Sequence, residues 1–431
     1  MLCLAMNYQA EINNVCDYEQ LGVRFYHCGN RWYTPQSRSL TANKIFYMKK
    51  SLLILFQFLL LTVLFAQQDK ITLFASRTDG YSSYRIPAII ALPGGKLLAF
   101  CEGRVNDAGD FGNVDIVMKV SINNGKTWGP LQLVIDNGNL QAGNPAPVLD
   151  MLDPAYPQGR IFLFYNTGNN YERAVREGKG LREVFFVSSA DGGKSWSTPV
   201  NITTQVHRPQ QPRINSAYNF SEDWRSYALT PGHAIQLKQG RFNGRLFVAA
   251  NHSSGNPQQL FKDYQAHGFY SDDHGKTFHL AGTVNIPGSN ETMAVELNGN
   301  RLMMNMRDQS GEAKARLIAI SNNGGDNWDS TYVDHHLPDP VCQGSILALE
   351  KNTLAFCNAA DTVHRNNLTV RISVDNGKSW PRSYLIDKGV GDKAKDFTAY
   401  SDLVSTLKNE LGILYERAGY KEIVFTRLKW R

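Results

Sequence analysis

Short, β-like stretches of alternating apolar and polar residues recur along the chain, and a polar segment containing glycine follows each one. The five clearest stretches are residues 115–120, 184–187, 267–270, 317–320 and 368–372. Alternation with a period of two is typical of strands that bury one face. Because 36 glycines and 17 prolines are also spread along the 431 residues, the sequence predicts many strands joined by tight turns.

The polar segments share one pattern: Ser, any residue, Asp or Asn, any residue, Gly, any residue, a small polar residue, and an aromatic. They are residues 121–128, 189–196, 271–278, 321–328 and 373–380. Asp or Asn at the third position can accept hydrogen bonds from a turn, and Gly at the fifth adopts angles that other residues resist. The segments begin 68, 82, 50 and 52 residues apart, which suits one four-stranded sheet per repeat, with insertions in the first two intervals. Radial repetition of such sheets gives a β-propeller.

One long apolar run lies near the N-terminus. Lys49 and Lys50 precede the mostly apolar residues 52–65, and Ala66 follows them. This is the pattern of a secretory signal peptide, and the run is short for a membrane span of about 20 residues. We therefore expect a secreted or periplasmic protein without a stable membrane span after cleavage; an N-terminal anchor is the alternative.

This apolar run also sets the expected domain boundaries. A signal peptide normally begins at the start codon, so we expect residues 48–66 to be the signal and Met48 to be the start of translation. Residues 1–47 then form a doubtful extension that is absent or removed. Residues 67–431 are expected to form one propeller domain.

Charge and cysteine content exclude several classes of function. The formal net charge is +6, without a Lys/Arg run of the kind that binds nucleic acid. Beyond the extension only Cys101, Cys342 and Cys357 remain. We expect three buried free thiols, with a Cys342–Cys357 disulfide as the alternative. No zinc-type spacing or phosphate-binding glycine loop occurs in the sequence, and we expect neither a metal nor a cofactor.

The five repeated segments resemble the Asp boxes of the bacterial-type exo-α-sialidase (neuraminidase) family, in which they lie on the outer rim of the fold. The resemblance extends over about residues 70–431. It implies an all-β protein, a six-bladed β-propeller of four-stranded antiparallel sheets. Asp boxes also occur in propellers without sialidase activity, so function depends on a second set of residues that is not repeated.

Three arginines lie in segments that match the substrate-binding arginines of that family. Arg85 lies in a Tyr-Arg-Ile-Pro motif, Arg307 ends an apolar strand-like run, and Arg365 precedes the last Asp box. A charge within an apolar run is costly to bury unless it meets a partner or a ligand. The resemblance implies that the three guanidinium groups bind the carboxylate of sialic acid, whose planar shape they complement. It also implies that Glu416 pairs with Arg85.

A loop after the first apolar strand is similar to a family segment in which an Arg and, six residues later, an Asp line the pocket. Here these are Arg104 and Asp110. The resemblance implies that Asp110 is the general acid/base and that Arg104 is an additional pocket arginine. Asp107 and Asp115 are competing candidates in the same loop, and a plain turn is the structural alternative.

Tyr400, in Phe-Thr-Ala-Tyr-Ser-Asp, matches the nucleophile of the family, and Glu291 matches the glutamate that activates it. Glu296 is a nearby competitor. The family segment usually reads Glu-Cys-Gln, whereas this chain has Glu-Thr-Met at 291–293. Sialidases with a tyrosine nucleophile are an exception among glycosidases, and a neutral phenol avoids repulsion at a carbon that already bears a carboxylate.

The resemblance implies a retaining exo-α-sialidase that removes terminal α-linked sialic acid from glycoproteins, glycolipids or oligosaccharides. Two alternatives remain open from the sequence. One is an enzyme of the same fold that transfers the sugar or closes it into an anhydro product. The other is an Asp-box propeller that binds sialylated glycans without turnover.

Overall fold

The computed structural model describes residues 69–389 and 397–431, and these residues are almost entirely β-structure. The expected extension and signal peptide, residues 1–66, lie outside the described residues and stay predictions. Within the described ranges, no helix is both long and apolar enough to cross a membrane.

Twenty-five strands form the described part of the chain. Strand β1 spans Ile71–Ala75. Blade 1 contains β2 (Ser83–Leu92), β3 (Lys96–Arg104), β4 (Val114–Ser121) and β5 (Gln132–Ile135). Blade 2 contains β6 (Gln141–Asp150), β7 (Arg160–Gly168), β8 (Arg182–Ser189) and β9 (Val200–Asn201). Blade 3 contains β10 (Trp224–Leu229), β11 (Ile235–Gln236), β12 (Leu246–Ser254), β13 (Tyr264–Ser271) and β14 (His279–Leu280).

The second half of the chain repeats the same unit. Blade 4 contains β15 (Ser289–Leu297), β16 (Arg301–Asp308), β17 (Ala315–Ser321) and β18 (Ser330–Pro338). Blade 5 contains β19 (Ser345–Glu350), β20 (Thr353–Ala359), β21 (Leu368–Ser373) and β22 (Arg382–Asp387). Blade 6 contains β23 (Thr398–Leu407), β24 (Glu410–Arg417) and β25 (Glu422–Lys429).

The few helices are short and lie in connections. They are α1 (Glu172–Arg176), α2 (Thr203–Val206) and the 3₁₀ turns Pro93–Gly95, Gly240–Phe242 and Gln259–Phe261. Helix α1 lies in the first of the two long intervals between Asp boxes and α2 in the second, where the sequence predicted insertions.

Strand pairing gives six antiparallel blades, as the family resemblance implied. Blades 1 and 2 join edge to edge through a single parallel pair, Val114 with Gln141, and the other blades are separate sheets. Strand β1 pairs with β25, beginning at Ile71 opposite Phe425. The N-terminal strand therefore completes the C-terminal blade and closes the ring, which leaves no unpaired seam between the two ends of the domain.

Each of the five Asp boxes connects its own blade to the preceding blade in the ring. Trp128 of blade 1 packs against Phe425 of blade 6, with ring centroids 5.2 Å apart, and Trp196 of blade 2 lies 6.0 Å from Phe100 of blade 1. Within the second box, Asp191 accepts hydrogen bonds from the backbone N–H groups of the two residues before Trp196, at 2.9 and 3.0 Å. The boxes thus have a structural role on the rim and supply apolar contacts between sheets.

Three histidines are buried together beside β10 in blade 3: His207, His252 and His267, here called the histidine cluster. The Nδ1 atoms of His252 and His267 lie 3.0 Å apart, and His252 stacks on Trp224 at 3.6 Å. Within the described residues, neither ring nitrogen of His207 has a hydrogen-bond partner. Burial lowers the pKa of all three imidazoles, and it lowers that of His267 to about 3.

The histidine cluster is expected to make the domain sensitive to acid. The folded-state pKa values lie below the ordinary value of about 6.5, so the unfolded chain takes up protons first and stability falls as pH drops below about 6.5. With a folded-state pKa of about 3, His267 contributes about 2 kcal/mol to this loss between pH 7 and pH 5. Because burial also lowers the pKa of His207, we expect His207→Phe to reduce the decline in unfolding free energy, measured by urea denaturation at both pH values. Equal declines in wild type and His207→Phe would contradict this account, and a substitution of the exposed His335 serves as control.

Candidate active site

A cavity of about 350 Å³ opens on the axis of the propeller. All six blades or the segments that lead into them contribute to its lining, in chain order through Arg85, Asn144, Tyr227, Glu291, Val341 and Tyr400. Seven of the eight residues selected from the sequence line this cavity: Arg85, Arg104, Asp110, Glu291, Arg307, Arg365 and Tyr400. The eighth, Glu416, lies behind the wall and is fully buried.

The inner strands are bulged at the level of the cavity. The pairing register shifts between Arg85 and Ala88 in β2, between Ser289 and Thr292 in β15, and between Thr398 and Ser401 in β23. A bulge re-aims side chains and increases local twist. Arg85, Glu291 and Tyr400 therefore sit on irregular backbone that turns them towards the axis.

Glu416 holds the first bulge together. One of its oxygens accepts a hydrogen bond from Nε of Arg85 at 2.7 Å and another from the backbone N–H of Ile86 at 2.9 Å. Ile86 has φ of +60°, a strained angle for a β-branched residue. The predicted Arg85–Glu416 pair is thus present. The Glu416 carboxylate is fully buried. It therefore compensates the charge of Arg85 and fixes the direction of the guanidinium group.

Arg307 and Arg365 complete a cluster of positive charge around Tyr400. Nη1 of Arg307 lies 2.7 Å from a carboxylate oxygen of Glu291, and Nη2 donates to Asn290 at 2.8 Å. Nη2 of Arg365 donates to the backbone oxygen of Val341 at 2.9 Å. The guanidinium carbons of Arg85 and Arg365 each lie 5.6 Å from the centre of the Tyr400 ring. Three guanidinium groups around one cavity have the charge and the planar donor geometry that a carboxylate ligand requires.

The phenol of Tyr400 lies at the centre of this cluster. Its hydroxyl donates a hydrogen bond to Glu291 at 2.5 Å and accepts one from Nη1 of Arg307 at 3.0 Å. Burial, followed by the negative charge of Glu291, raises the pKa of Tyr400 well above its usual value, although Arg307 and Arg365 oppose the rise. The phenol is therefore neutral in the free protein and has an adjacent carboxylate that can accept its proton.

Asp110 lies at the mouth of the cavity, with its side chain 76% exposed. It accepts a hydrogen bond from Nη1 of Arg104 at 2.8 Å, and Arg104 also pairs with the buried Glu102 at 2.7 Å. Desolvation raises the pKa of Asp110, but the charges of Arg104 and Arg85 outweigh it and hold the pKa below the ordinary value. Asp110 is thus ionised in the empty site and open to an incoming group.

The competing carboxylates lie elsewhere. Asp107 accepts a hydrogen bond from the backbone N–H of Gly109 at 2.6 Å and shapes the loop, while Asp115 accepts one from the Tyr81 hydroxyl at 2.8 Å. Glu296 caps the backbone N–H groups of residues 238 and 239, both at 2.9 Å. None of these three carboxylates lines the cavity that holds Tyr400.

The structure adds residues that the sequence analysis missed. Glu102 pairs with Arg104, and the hydroxyl of Tyr420 accepts a hydrogen bond from Nη1 of Arg365 at 3.3 Å. Arg316 is fully buried and donates to the carboxylate of Asp339 at 2.8 Å. A charged residue inside the apolar stretch 315–320 was a usable signal for Arg316, since the same signal had selected Arg85.

One wall of the cavity is polar and was not expected from the sequence. Glu172, at the start of α1, accepts hydrogen bonds from the hydroxyl groups of Ser226, at 2.6 Å, and Tyr264. Its other oxygen lies 3.4 Å from Arg182, which also donates to Gln141. These groups give the cavity hydrogen-bonding capacity beyond the anion site, as a polyhydroxylated ligand requires.

Outside the cavity, the described residues include one group of potential metal ligands: Asp150, Asp153 and His274. Its members already bond to protein groups, Asp150 to His274 at 2.8 Å and Asp153 to Arg160 at 3.2 Å. The three cysteines of the domain, Cys101, Cys342 and Cys357, are buried free thiols, so the alternative disulfide between Cys342 and Cys357 is not formed.

Fold and cavity together define an Asp-box β-propeller with a cavity on its axis that is lined by a tyrosine and several arginines. The BNR repeat-like domain family matches residues 95–413. A sialidase of Micromonospora viridifaciens is 31% identical over 376 residues, which are 82% of this chain and 52% of that protein. An exo-alpha-sialidase of Aspergillus fumigatus is 26% identical over 385 residues, 81% of this chain and 85% of that protein. The solved structure of a Hadza microbial sialidase matches with a TM-score of 0.69 and 25% identity, over 84% of this chain and 68% of that one.

The chain therefore belongs to the BNR repeat-like domain family, and the relatives named above are sialidases. It spans about half the length of the Micromonospora relative and most of the length of the Aspergillus relative.

Proposed function

We propose that the protein is an exo-α-sialidase that hydrolyses terminal α-linked sialic acid with net retention of configuration. The observation that carries the proposal is the Tyr400 hydroxyl, which lies 2.5 Å from Glu291 and 3.0 Å from Arg307 inside the cluster of arginines. This arrangement places a neutral nucleophile and its base directly beside a site for the substrate carboxylate.

The first step follows from these positions. The substrate carboxylate binds Arg85, Arg307 and Arg365, and its charge offsets the positive field that holds the pKa of Asp110 low. Asp110 gains a proton and becomes competent as an acid. Tyr400 attacks the anomeric carbon, Glu291 takes the phenolic proton, and Asp110 protonates the oxygen of the departing sugar. The product of this step is a covalent tyrosyl glycoside.

The second step reverses the roles. Asp110, now a carboxylate, removes a proton from a water molecule that attacks the anomeric carbon. The tyrosyl oxygen leaves and recovers its proton from Glu291, and Asp110 loses its proton to solvent when the product leaves, so the site returns to its initial state. Two displacements on the same carbon leave the configuration unchanged, as in other retaining glycosidases. Arg104 anchors Asp110 at 2.8 Å throughout.

The proposed substrates are sialylated glycoproteins, glycolipids and oligosaccharides, and the proposed location is secreted or periplasmic. The open exposure of Asp110, 76% of its side chain, suits removal of a terminal sugar whose aglycone extends into solvent. The signal-like segment at 48–66 provides the argument for export.

Product analysis tests this proposal directly. We expect wild-type protein, incubated with a sialyl-oligosaccharide and followed by proton NMR, to release free sialic acid that appears first as the α-anomer. Early appearance of the β-anomer would contradict retention. Formation of an anhydro sugar, or transfer to an added galactoside, would contradict hydrolysis. Binding without turnover would identify a sialic-acid-binding propeller instead.

A further inference from the structure

The strand that carries Tyr400 has a neighbour on one side only. Strand β23 is the innermost strand of blade 6: β24 pairs with its outer edge, and within residues 69–389 and 397–431 no strand pairs with its axial edge. At the bulge between Thr398 and Ser401 even the β24 ladder is interrupted. Unpaired backbone groups in a buried region cost free energy and leave the backbone poorly fixed unless side chains bond to them.

Side chains supply these bonds around the bulge. The backbone N–H of Tyr400 donates to Glu416 at 3.3 Å. Ser401 is bound on both of its backbone groups by the amide of Gln343: its N–H donates to Oε1 at 2.9 Å, and its carbonyl accepts from Nε2 at 3.0 Å. Gln343 is 1% exposed. The side-chain amide of Gln343 thus makes the hydrogen bonds to Ser401 that a neighbouring strand would otherwise make.

Gln343 is itself held from two directions. Its Nε2 also donates to the backbone oxygen of Pro231, in the connection between β10 and β11, at 3.0 Å. The segment that leads to Gln343 is fixed by the buried Arg316, which donates to the backbone oxygen of Cys342 at 2.5 Å. The amide therefore links blades 3, 5 and 6 at the axis, and its orientation is set by groups outside the cavity.

We propose that Gln343 is a positioning residue for the nucleophile: its amide fixes the bulge that carries Tyr400 within reach of the anomeric carbon. The inference rests on the proposed function and adds a residue that does not line the cavity. The physical reason is that attack requires the oxygen within about 3–3.5 Å of carbon, and a misplacement of about 1 Å costs about 100-fold in rate. Binding through the arginines does not depend on that distance.

Two ligands separate positioning from binding. A 2,3-difluorosialic acid has a good leaving group at the anomeric carbon and a second fluorine that slows hydrolysis, so it traps the covalent tyrosyl adduct. An unsaturated sialic-acid analogue occupies the anion site without reacting. We expect Gln343→Met to slow trapping, followed by intact-protein mass, about 10- to 100-fold. The dissociation constant of the unsaturated analogue is expected to stay within about threefold.

A matched control uses the same substitution in another buried amide. Gln236 in β11 donates from Nε2 to Asp150 at 2.5 Å and accepts from the N–H of Met151 at 2.9 Å, and it lies outside the Tyr400 cavity. Gln236→Met should trap at the wild-type rate within about twofold. Slowing equal to that of Gln343→Met would overturn the proposal, because general loosening of the blades would then explain both.

A second variant gives a readout that a merely structural role would not produce. In Gln343→Glu, one oxygen can still accept from the N–H of Ser401, but the other faces two carbonyl oxygens and can donate only while protonated. We expect its trapping rate, relative to wild type, to fall as pH rises through the pKa of the introduced carboxyl. This variant retains the volume of glutamine and keeps the test available if the methionine variant does not fold.

The outcomes distinguish this inference from the proposed function. Unchanged trapping by Gln343→Met would overturn it, as would a parallel loss of trapping rate and analogue affinity, which would assign Gln343 to the scaffold of the anion site. A pH dependence of Gln343→Glu identical to wild type would also overturn it. If wild type binds the analogue but is never trapped, the tyrosine mechanism fails, whatever the variants do.

Discussion

Tyr400→Phe is expected to lower the turnover of a sialoside by at least about 1,000-fold, which corresponds to about 4 kcal/mol of transition-state stabilisation. The substitution removes one oxygen and leaves the ring, so the packing against Arg85 and Arg365 at 5.6 Å persists. Affinity for an unsaturated sialic-acid analogue should therefore change only a few-fold. Steady-state assays on a fluorogenic sialoside, together with inhibitor titration, measure both quantities.

The same substitution on the outer face of blade 5 is the control. The Tyr384 hydroxyl donates to the backbone oxygen of Trp430 at 2.9 Å, and Tyr384 does not line the cavity. Tyr384→Phe should keep wild-type turnover. Mass spectrometry after reaction with a 2,3-difluorosialic acid should place the adduct on Tyr400 in wild type and find none in Tyr400→Phe. Equal turnover in wild type and Tyr400→Phe would show that Tyr400 is not the nucleophile.

The propeller could be predicted from the sequence because its repeated turn has a local physical cause. Each Asp box encodes its own hydrogen bonds, as Asp191 shows with contacts to the two residues before Trp196. The number of blades could not be predicted from the Asp boxes, because the five boxes give no indication of a sixth sheet. The sixth blade has no Asp box and is completed by β1 from the opposite end of the domain, a pairing between Ile71 and Phe425 that only the closed ring explains.

The site was predictable where a residue type conflicts with its surroundings. Arg85 and Arg307 are charged residues in apolar stretches, and they could be recognised in the sequence for that reason. Gln343 gave no such signal, because an uncharged amide in a connecting segment has an ordinary explanation on the surface. Glu102 did carry the signal, since it ends the apolar run 97–101, but the sequence analysis did not use it. Their roles depend on backbone groups and side chains brought together by the fold, such as the N–H of Ser401 at 2.9 Å. Those contacts cannot be predicted from the local sequence.

Asp110→Asn is expected to have an effect whose size depends on the leaving group. The step that Asp110 assists is protonation of the departing oxygen, so a sialoside that releases a sugar alcohol needs it, whereas one that releases an acidic phenol does not. We expect kcat/KM to fall about 100- to 10,000-fold for a sialyl-oligosaccharide, and much less for an aryl sialoside in the same assay. An equal loss for both substrates would contradict the assignment, since it would indicate a role in binding through Arg104.

The pH dependence gives a second test of the same carboxyl. Arg104 and Arg85 hold the pKa of Asp110 below its ordinary value in the free protein, and the proposed first step requires the protonated form. The fraction of free protein with a protonated Asp110 therefore decreases as pH rises above that lowered pKa, and kcat/KM for the oligosaccharide should decrease with it. Asp110→Asn has no proton to lose, so this decline should be absent from its profile. Because Arg104 donates directly to Asp110 at 2.8 Å, Arg104→Gln should move the decline to higher pH. Arg104 also pairs with Glu102, so the loss of the decline in Asp110→Asn is the result that assigns the titration to Asp110.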